Sequence, residues 1–188
     1  MKRGESRPGE SHNLFFGLFP DAGVRGRIED AACRLHGCAG KGRWIKPQRY
    51  HLTLLFLGAM AMLPADVVGR ACAAAARVRV PAFDLVLDRV GCFRKRGIPW
   101  WLGCSEMPVG LKTLWDSLAA ELRREGIVPR DRQLTPHVTV LRDADAEIEP
   151  APMEPVRWPV DGFRLVESRL APSPEYVVRG DWPLGPRA

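Results

Sequence analysis

Apolar and polar positions alternate most clearly along Tyr50-His51-Leu52-Thr53-Leu54-Leu55-Phe56-Leu57-Gly58. A shorter copy of the pattern returns in Pro136-His137-Val138-Thr139-Val140-Leu141-Arg142. Both runs read as buried β-strands. Side chains alternate between the faces of a strand, so His51 and Thr53 share one face, with Leu52, Leu54 and Phe56 on the other. His137 and Thr139 repeat the arrangement against Val138 and Val140.

The rest of the pattern supplies elements around these two runs. Asn13 to Phe19 is a short apolar run ended by Pro20, a buried strand. Pro20-Asp21 starts a helix with Val24, Ile28, Ala31, Ala32 and Leu35 at helical spacing, stopped at Gly37. Ala65 to Val80 is an Ala-rich helix ended by Pro81. Ala82 to Val90 alternates as a strand, Phe93 to Gly97 is a hairpin loop, and Ile98 to Gly103 is the return strand. Pro108 to Gly126 forms the clearest helix, with the stripe Leu111, Leu114, Trp115, Leu118 and Leu122 and Gly126 at its end. Asp143 to Pro155 reads as an acidic, proline-rich loop. Val156 to Glu167 and Tyr176 to Trp182 close the chain with two strands, and the tail reads as disordered.

The expected order is β-α-β-α-β-β-α-β-β-β. Motif strand, helix, strand is followed by strand, helix, motif strand, a mirror-like order. It predicts two similar α+β lobes facing each other across a pseudo-twofold cleft, with one motif from each. Residues 1–12 are charged and contain Gly, Ser and Pro, so they are expected to be disordered, with 13–188 as a single bilobal domain.

Composition narrows the class. The chain has 188 residues, 46% hydrophobic and 27% charged, which fits a soluble globular protein with a real core. A net charge of +6 suits a polyanionic partner such as nucleic acid and suits many basic proteins that bind none. Five cysteines, without a CxxC pair, read as buried free thiols in a reducing cytoplasm. Gly4 to Asn13 is polar, so no secretory signal is expected after Lys2 and Arg3. The longest apolar stretch, Leu52 to Leu63, is interrupted by Gly58 and too short to span a membrane.

Candidate chemistry centres on the paired motifs. Under random placement of threonine, two of the four histidines would carry Thr two residues on with a chance of roughly 0.003. Two imidazoles across a phosphodiester can act as a pair, one deprotonating the attacking oxygen and the other protonating the leaving oxygen. Threonine hydroxyls on the same faces can donate to non-bridging phosphate oxygens. A metal would need a third ligand such as a carboxylate, and neither motif contains one. Basic segments stand nearby: Lys41, Arg43, Trp44 and Lys46 before the first motif, Arg130 and Arg132 before the second. Phe93-Arg94-Lys95-Arg96 with Trp100 and Trp101 offers charge and rings of the kind single-stranded nucleic acid uses. An exposed turn bordered by core aromatics has the same sequence.

The chain resembles the two-histidine (2H) phosphoesterases, defined by paired H-x-[ST]-x motifs, which His51-Leu52-Thr53-Leu54 and His137-Val138-Thr139-Val140 match. Within that family it is similar to the bacterial RNA 2′,3′-cyclic phosphodiesterases, also called 2′-5′ RNA ligase-like. Leu14-Phe15-Phe16, His51 to Gly58, Trp101-Leu102-Gly103 and His137 to Asp143 carry the likeness, which runs from about residue 13 to 182. The resemblance implies a bilobal fold of two antiparallel-sheet lobes around a central cleft. It also implies no metal or nucleotide cofactor, and hydrolysis of a terminal 2′,3′-cyclic phosphate to a 2′-phosphate, with 2′-5′ ligation left open. His51 becomes the proton donor, His137 the proton acceptor, and Thr53, Thr139 and Arg142 bind substrate. Strict alternation sets Arg142 on the face opposite His137 unless the strand bends or ends at Leu141. The expected partner is RNA with a cyclic phosphate end, tRNA fragments among the candidates, acted on by a cytoplasmic monomer. Two other readings of the residues stand beside this one: a non-catalytic module that holds RNA ends, and a phosphodiesterase of a small cyclic nucleotide.

Overall fold

The computed structural model describes residues 12–37, 41–131, 133–169 and 175–187. Nine strands join in one antiparallel sheet, with three helices packed against it. The strands are β1 (His12–Leu18), β2 (Arg43–Trp44), β3 (Leu52–Met60), β4 (Phe83–Cys92), β5 (Trp100–Gly103), β6 (His137–Arg142), β7 (Ala151–Val160), β8 (Gly162–Arg169) and β9 (Glu175–Pro183). The helices are α1 (Ala22–Arg34), α2 (Ala65–Ala75) and α3 (Val109–Arg124).

The spatial order β7-β4-β5-β6-β3-β1-β8-β9 divides at its centre into two four-stranded halves, with β2 added beside β6. One half comes from the middle of the chain, the other from its two ends. The motif strands β3 and β6 are the innermost pair, and they touch at a single register position, Leu52 opposite Val138. Each of these residues directly follows its motif histidine, so a pseudo-twofold axis passes between them. The expected bilobal α+β arrangement is therefore present, as one sheet hinged at its middle.

Away from that pair β3 and β6 splay apart, and other groups take up their open edges. Ile45 N–H donates to Val140 O at 2.8 Å, and β2 continues the ladder with Arg43 opposite Arg142. Along β3, Trp115 Nε1 donates to the Leu54 carbonyl at 3.0 Å, Arg130 N–H donates to Phe56 O at 3.1 Å, and Phe56 N–H donates to Asp131 at 2.6 Å. The segment ahead of each motif thus covers the strand of the other, giving these backbone groups partners where β3 and β6 do not pair.

Local sequence accounts for the helix ends. Asp21 caps α1 by accepting from Val24 N–H at 2.7 Å. After α3, Gly126 adopts φ +71 and Ile127 N–H reaches back to Leu122 O, a left-handed stop that favours glycine. Leu111, Leu114, Leu118 and Leu122 are fully buried, while Trp115 of the expected stripe is half-buried and turned to β3. Beneath the terminal half-sheet, Phe16, Phe163 and Trp182 form an aromatic cluster with centroids 5.5 to 6.1 Å apart.

Several expectations need correction. The strand expected over 156–167 is two strands, because the chain passes at Asp161 from β7, paired with β4, to β8, paired with β1. β7 begins at Ala151, inside the expected loop, and carries Pro152, Pro155 and Pro159. Prolines are tolerated there because β7 is an edge strand. α2 ends at Ala75 instead of Val80, where the chain tightens and Val78 and Val80 drop into the core. The tail is tied down through Gly185, which exchanges backbone hydrogen bonds with Val80 and Ala82.

Of the segment expected to be disordered, residues 1–11 lie outside the described residues, and His12 opens β1. Its Nδ1 lies 2.5 Å from Glu167, a buried carboxylate also bound by Arg169 and Arg179. Burial would raise the Glu167 carboxyl, but these hydrogen bonds outweigh it and take the pKa down to about 2. Four described cysteines are free, and Cys33 is exposed on α1, contrary to the expectation of buried thiols; Cys38 lies outside the described residues.

Leu52 is fully buried at the one pair that joins the halves. Leu52→Ala removes its packing and is expected to cost about 2–5 kcal/mol, read as a lower urea midpoint. An unchanged midpoint would show that the seam is not held by this contact.

Candidate active site

The pseudo-twofold relation sets out the site. Continuing the Leu52–Val138 register by one residue each way puts His51 across from Thr139 and Thr53 across from His137. All four side chains line one cleft over the seam, with Arg142. The cleft has two connected parts sharing His51, Thr53, Thr139 and Arg142. The narrow part, about 200 Å³, is bounded by Phe93, Lys95, Arg96, His137 and Asp143. The wide part, about 610 Å³, is bounded by Asn13, Phe15, Trp44, Phe56, Ser168 and Tyr176, with Arg43, Lys46 and Arg49 on its rim.

Arg142 reaches this cleft because β6 bulges. Thr139 pairs with Trp101 and Leu141 with Trp100, so Val140 is an extra residue on β6. Val140 and Leu141 both turn into the core, fully buried, and alternation resumes with Arg142 on the histidine face. The bend that would bring Arg142 round is thus present. β3 does the same against β1: Gly17 pairs with Thr53 and Phe16 with Leu55, leaving Leu54 extra. Phe56 therefore lines the cleft, contrary to its expected place on the core face, and is the pseudo-symmetric mate of Arg142.

Each imidazole is fixed in the same way. His51 Nδ1 lies 2.8 Å from the carbonyl of Arg49, and His137 Nδ1 lies 2.7 Å from that of Thr135, in both cases two residues upstream. A carbonyl accepts only, so Nδ1 donates and Nε2 is left to face the cleft in both rings. Their packing differs. His51 is walled by Phe15, Phe19 and Tyr176 at centroid distances of 5.0, 5.8 and 5.5 Å, and His137 meets Phe93 edge-on at 4.8 Å.

Burial lowers the pKa of both imidazoles. For His51 desolvation outweighs the hydrogen bond to Arg49, nearby Arg142 and His137 add to it, and the value falls to about 4. His137 is lowered by burial and by Lys95 and Arg142, against the hydrogen bond to Thr135. A bound anion would offset the cationic contribution and favour the protonated forms.

The basic segments divide. Lys95 and Arg96 line the narrow part, whereas Arg94 turns away to Glu147 and Glu149 at 3.1 and 2.5 Å. Trp100 is buried core; Trp101 packs on Gly91, where a Cβ would come within 2.5 Å of its ring, and against Phe93. Neither tryptophan lines the cleft. Arg130 is exposed beside Gly58, and Arg132 lies outside the described residues. Sequence reasoning had not singled out Asn13, Phe15, Phe19, Arg49, Ser168 or Tyr176 as site residues. For Phe56 a signal existed, since it stands three residues after Thr53 as Arg142 does after Thr139. Among the described residues no three His, Cys, Asp or Glu side chains form a group that could hold a metal ion.

Two imidazoles lining one cleft, each from an H-x-T-x motif on one half of a hinged sheet, fit the two-histidine phosphoesterases. The family model for LigT-like phosphoesterases matches residues 18–101, which include the first motif. The RNA 2′,3′-cyclic phosphodiesterase of Escherichia coli (strain K12) is 32% identical over 86% of this chain and 90% of its own. That of Thermus thermophilus is 31% identical over 88% and 86%. The crystal structure of E. coli LigT complexed with 3′-AMP superposes with a TM-score of 0.74 at 32% identity, covering 94% of this chain and 99% of that one. The chain belongs to the LigT-like phosphoesterase family.

The depressed values predict that both imidazoles are neutral at pH 7 in the free protein. NMR titration should find His51 protonating near 4 and His137 below 6.5, with inorganic phosphate raising both. In the unfolded chain each titrates near ~6.5, so the unfolded state binds more protons below that pH. Stability should therefore fall as pH drops from about 6.5 towards 4, and His51→Gln should flatten part of the fall. A His51 that titrates at 6.5 or above without ligand would contradict this.

Proposed function

We propose that the protein hydrolyses RNA ends carrying a 2′,3′-cyclic phosphate, opening the ring to a 2′-phosphomonoester by metal-free acid–base catalysis between His51 and His137. The observation that carries this is the pair of carbonyl-anchored imidazoles, each with Nε2 turned to the same cleft. The activity named for the two bacterial relatives supports the same substrate class.

In the proposed reaction His137 Nε2 takes a proton from water as the water oxygen bonds to phosphorus. The bond from phosphorus to the ribose 3′-oxygen breaks, and His51 gives its Nε2 proton to that oxygen. The donor and acceptor order follows the family resemblance. Burial holds the His51 pKa down, so in this reaction it takes up its proton once the anionic phosphate lies against it. Thr53 and Thr139 donate to the non-bridging oxygens, and the Arg142 guanidinium stabilises the charge that builds there. Lys95, Arg96 and Lys46 hold backbone phosphates upstream of the end.

Chains with a cyclic terminus are the substrate, tRNA fragments among them. No helix among the described residues is long and apolar enough to cross a membrane. The free described thiols support a cytoplasmic setting, and we take the acting unit to be a monomer.

Because one imidazole must be neutral and the other protonated, kcat/KM should be bell-shaped in pH. Its maximum should lie below 6.5, since both pKa values are lowered. His51→Ala and His137→Ala should each cost roughly 10²–10⁴-fold and remove one limb. The product should be a 2′-phosphate, and a chelator should leave the rate unchanged. Loss of activity with chelator and its return with added metal would overturn the mechanism.

Neutralising Lys95 and Arg96 together should weaken oligonucleotide binding and reduce its salt slope by about 1–2, leaving a cyclic mononucleotide far less affected. Arg94→Gln should do neither, because its ion pairs point away from the cleft. An equal loss on both substrates would remove these residues from RNA binding.

A further inference from the structure

Each motif strand has an outer neighbour in its own half-sheet, and the two neighbours carry large and small side chains in opposite order. On β1, Gly17 pairs with Thr53 and Leu18 with Leu52, so the next position sets Phe19 across from His51. On β5, Trp101 pairs with Thr139 and Gly103 with His137. A ring thus stands beside the histidine in one half and beside the threonine in the other. Each glycine leaves room for its neighbour's ring. A Cβ on Gly17 would come 3.4 Å from Phe19, and one on Gly103 would come 3.0 Å from Trp101.

Phe19 meets His51 along its face. The two centroids are 5.8 Å apart with planes 19° apart, whereas Phe15 and Tyr176 meet the imidazole at 39° and 88°. Phe19 is braced in turn from the β8 side. Arg164, opposite Gly17, sets its guanidinium carbon 5.7 Å from the Phe19 centroid. Its Nε donates to Asp181 at 2.7 Å. His51, Phe19, Arg164 and Asp181 therefore run outward from the seam across β3, β1, β8 and β9. Phe15 and Tyr176 are among the described residues lining the cleft, and Phe19 is not, so it reaches His51 from outside the substrate space.

The hydrogen bond from Nδ1 to the Arg49 carbonyl pins one atom of the His51 ring and leaves the plane free to rock about it. A second ring laid flat on one face removes that freedom. Catalytic groups lose rate when their placement drifts by as little as ~1 Å. We propose that Phe19, braced by Arg164, is a positioning residue that holds the His51 ring plane so that Nε2 meets the phosphate. His137 has glycine at the matching place and takes its ring contact from Phe93 of the hairpin loop instead. The proposal rests on the function proposed above and adds to it a residue that acts through His51 without touching substrate.

The test measures kcat and KM on a 2′,3′-cyclic mononucleotide for Phe19→Leu and Phe19→Tyr, and for Phe19→Leu in a His51→Ala background. Phe19→Leu should lower kcat by roughly 10–10²-fold with KM within about two-fold of wild type. Phe19→Tyr keeps the flat contact and should hold kcat within about three-fold. With His51 already removed, Phe19→Leu should change kcat by less than about two-fold, because the group it positions is gone. A variant that only folds less well loses the same fraction in both backgrounds, and that result overturns the proposal. So does a rise in KM with kcat unchanged. A wild type that turns over no cyclic phosphate contradicts the proposed function instead, and the placement is then read by NMR. Phe19→Leu uncovers part of the imidazole, so His51 should protonate above its value of about 4 while His137 keeps its own titration. An unchanged His51 titration, or an equal move of both histidines, overturns the proposal.

Discussion

A single backbone pairing, Leu52 with Val138, governs the geometry of this molecule. Two four-stranded half-sheets meet there and nowhere else along β3 and β6. Since each of the two residues follows a motif histidine, the pair fixes the spacing of the imidazoles and crosses them diagonally with the threonines. A longer ladder between β3 and β6 would flatten the sheet and close the cleft. A missing pair would leave two half-sheets with no fixed relation. One pair, buried on its core side, leaves the strands free to diverge while the active face stays in register.

Divergence exposes backbone, and the chain covers it reciprocally. β2 and Ile45 lie along β6, while Trp115, Arg130 and Asp131 serve β3. These covering segments also bring function to the rim. Arg43, Trp44 and Lys46 enter the wide part of the cleft from the very segment that completes the β6 edge. Satisfying hydrogen bonds and assembling a cationic margin are here one structural act.

The pseudo-twofold relation is exact enough to duplicate the chemistry and broken enough to give it direction. Both histidines are held by the carbonyl two residues upstream, and both motif strands bulge after the threonine. Past the bulge one strand delivers a guanidinium and the other a phenyl ring. Around His51 there are three aromatic rings, around His137 one. The cleft thus presents like groups from both halves at its centre, with rings towards one end and charge towards the other.

Much of this was legible in the residues alone. The paired His-x-Thr spacing fixed which side chains share a face, because alternation along a strand is a local property of the backbone. The mirror order of strands and helices likewise predicted two halves with one motif each. Local pattern could not reveal the bulges at Leu54 and Val140. They depend on pairing with β1 and β5, and they alone carry Phe56 and Arg142 to the histidine face. Proline in 152–159 reads as loop until its place on a sheet edge is known. Asn13, Ser168 and Tyr176 are ordinary strand residues in sequence, the last well over a hundred positions from the first. They become one surface because three distant strands are hydrogen-bonded side by side, and only the tertiary structure decides that.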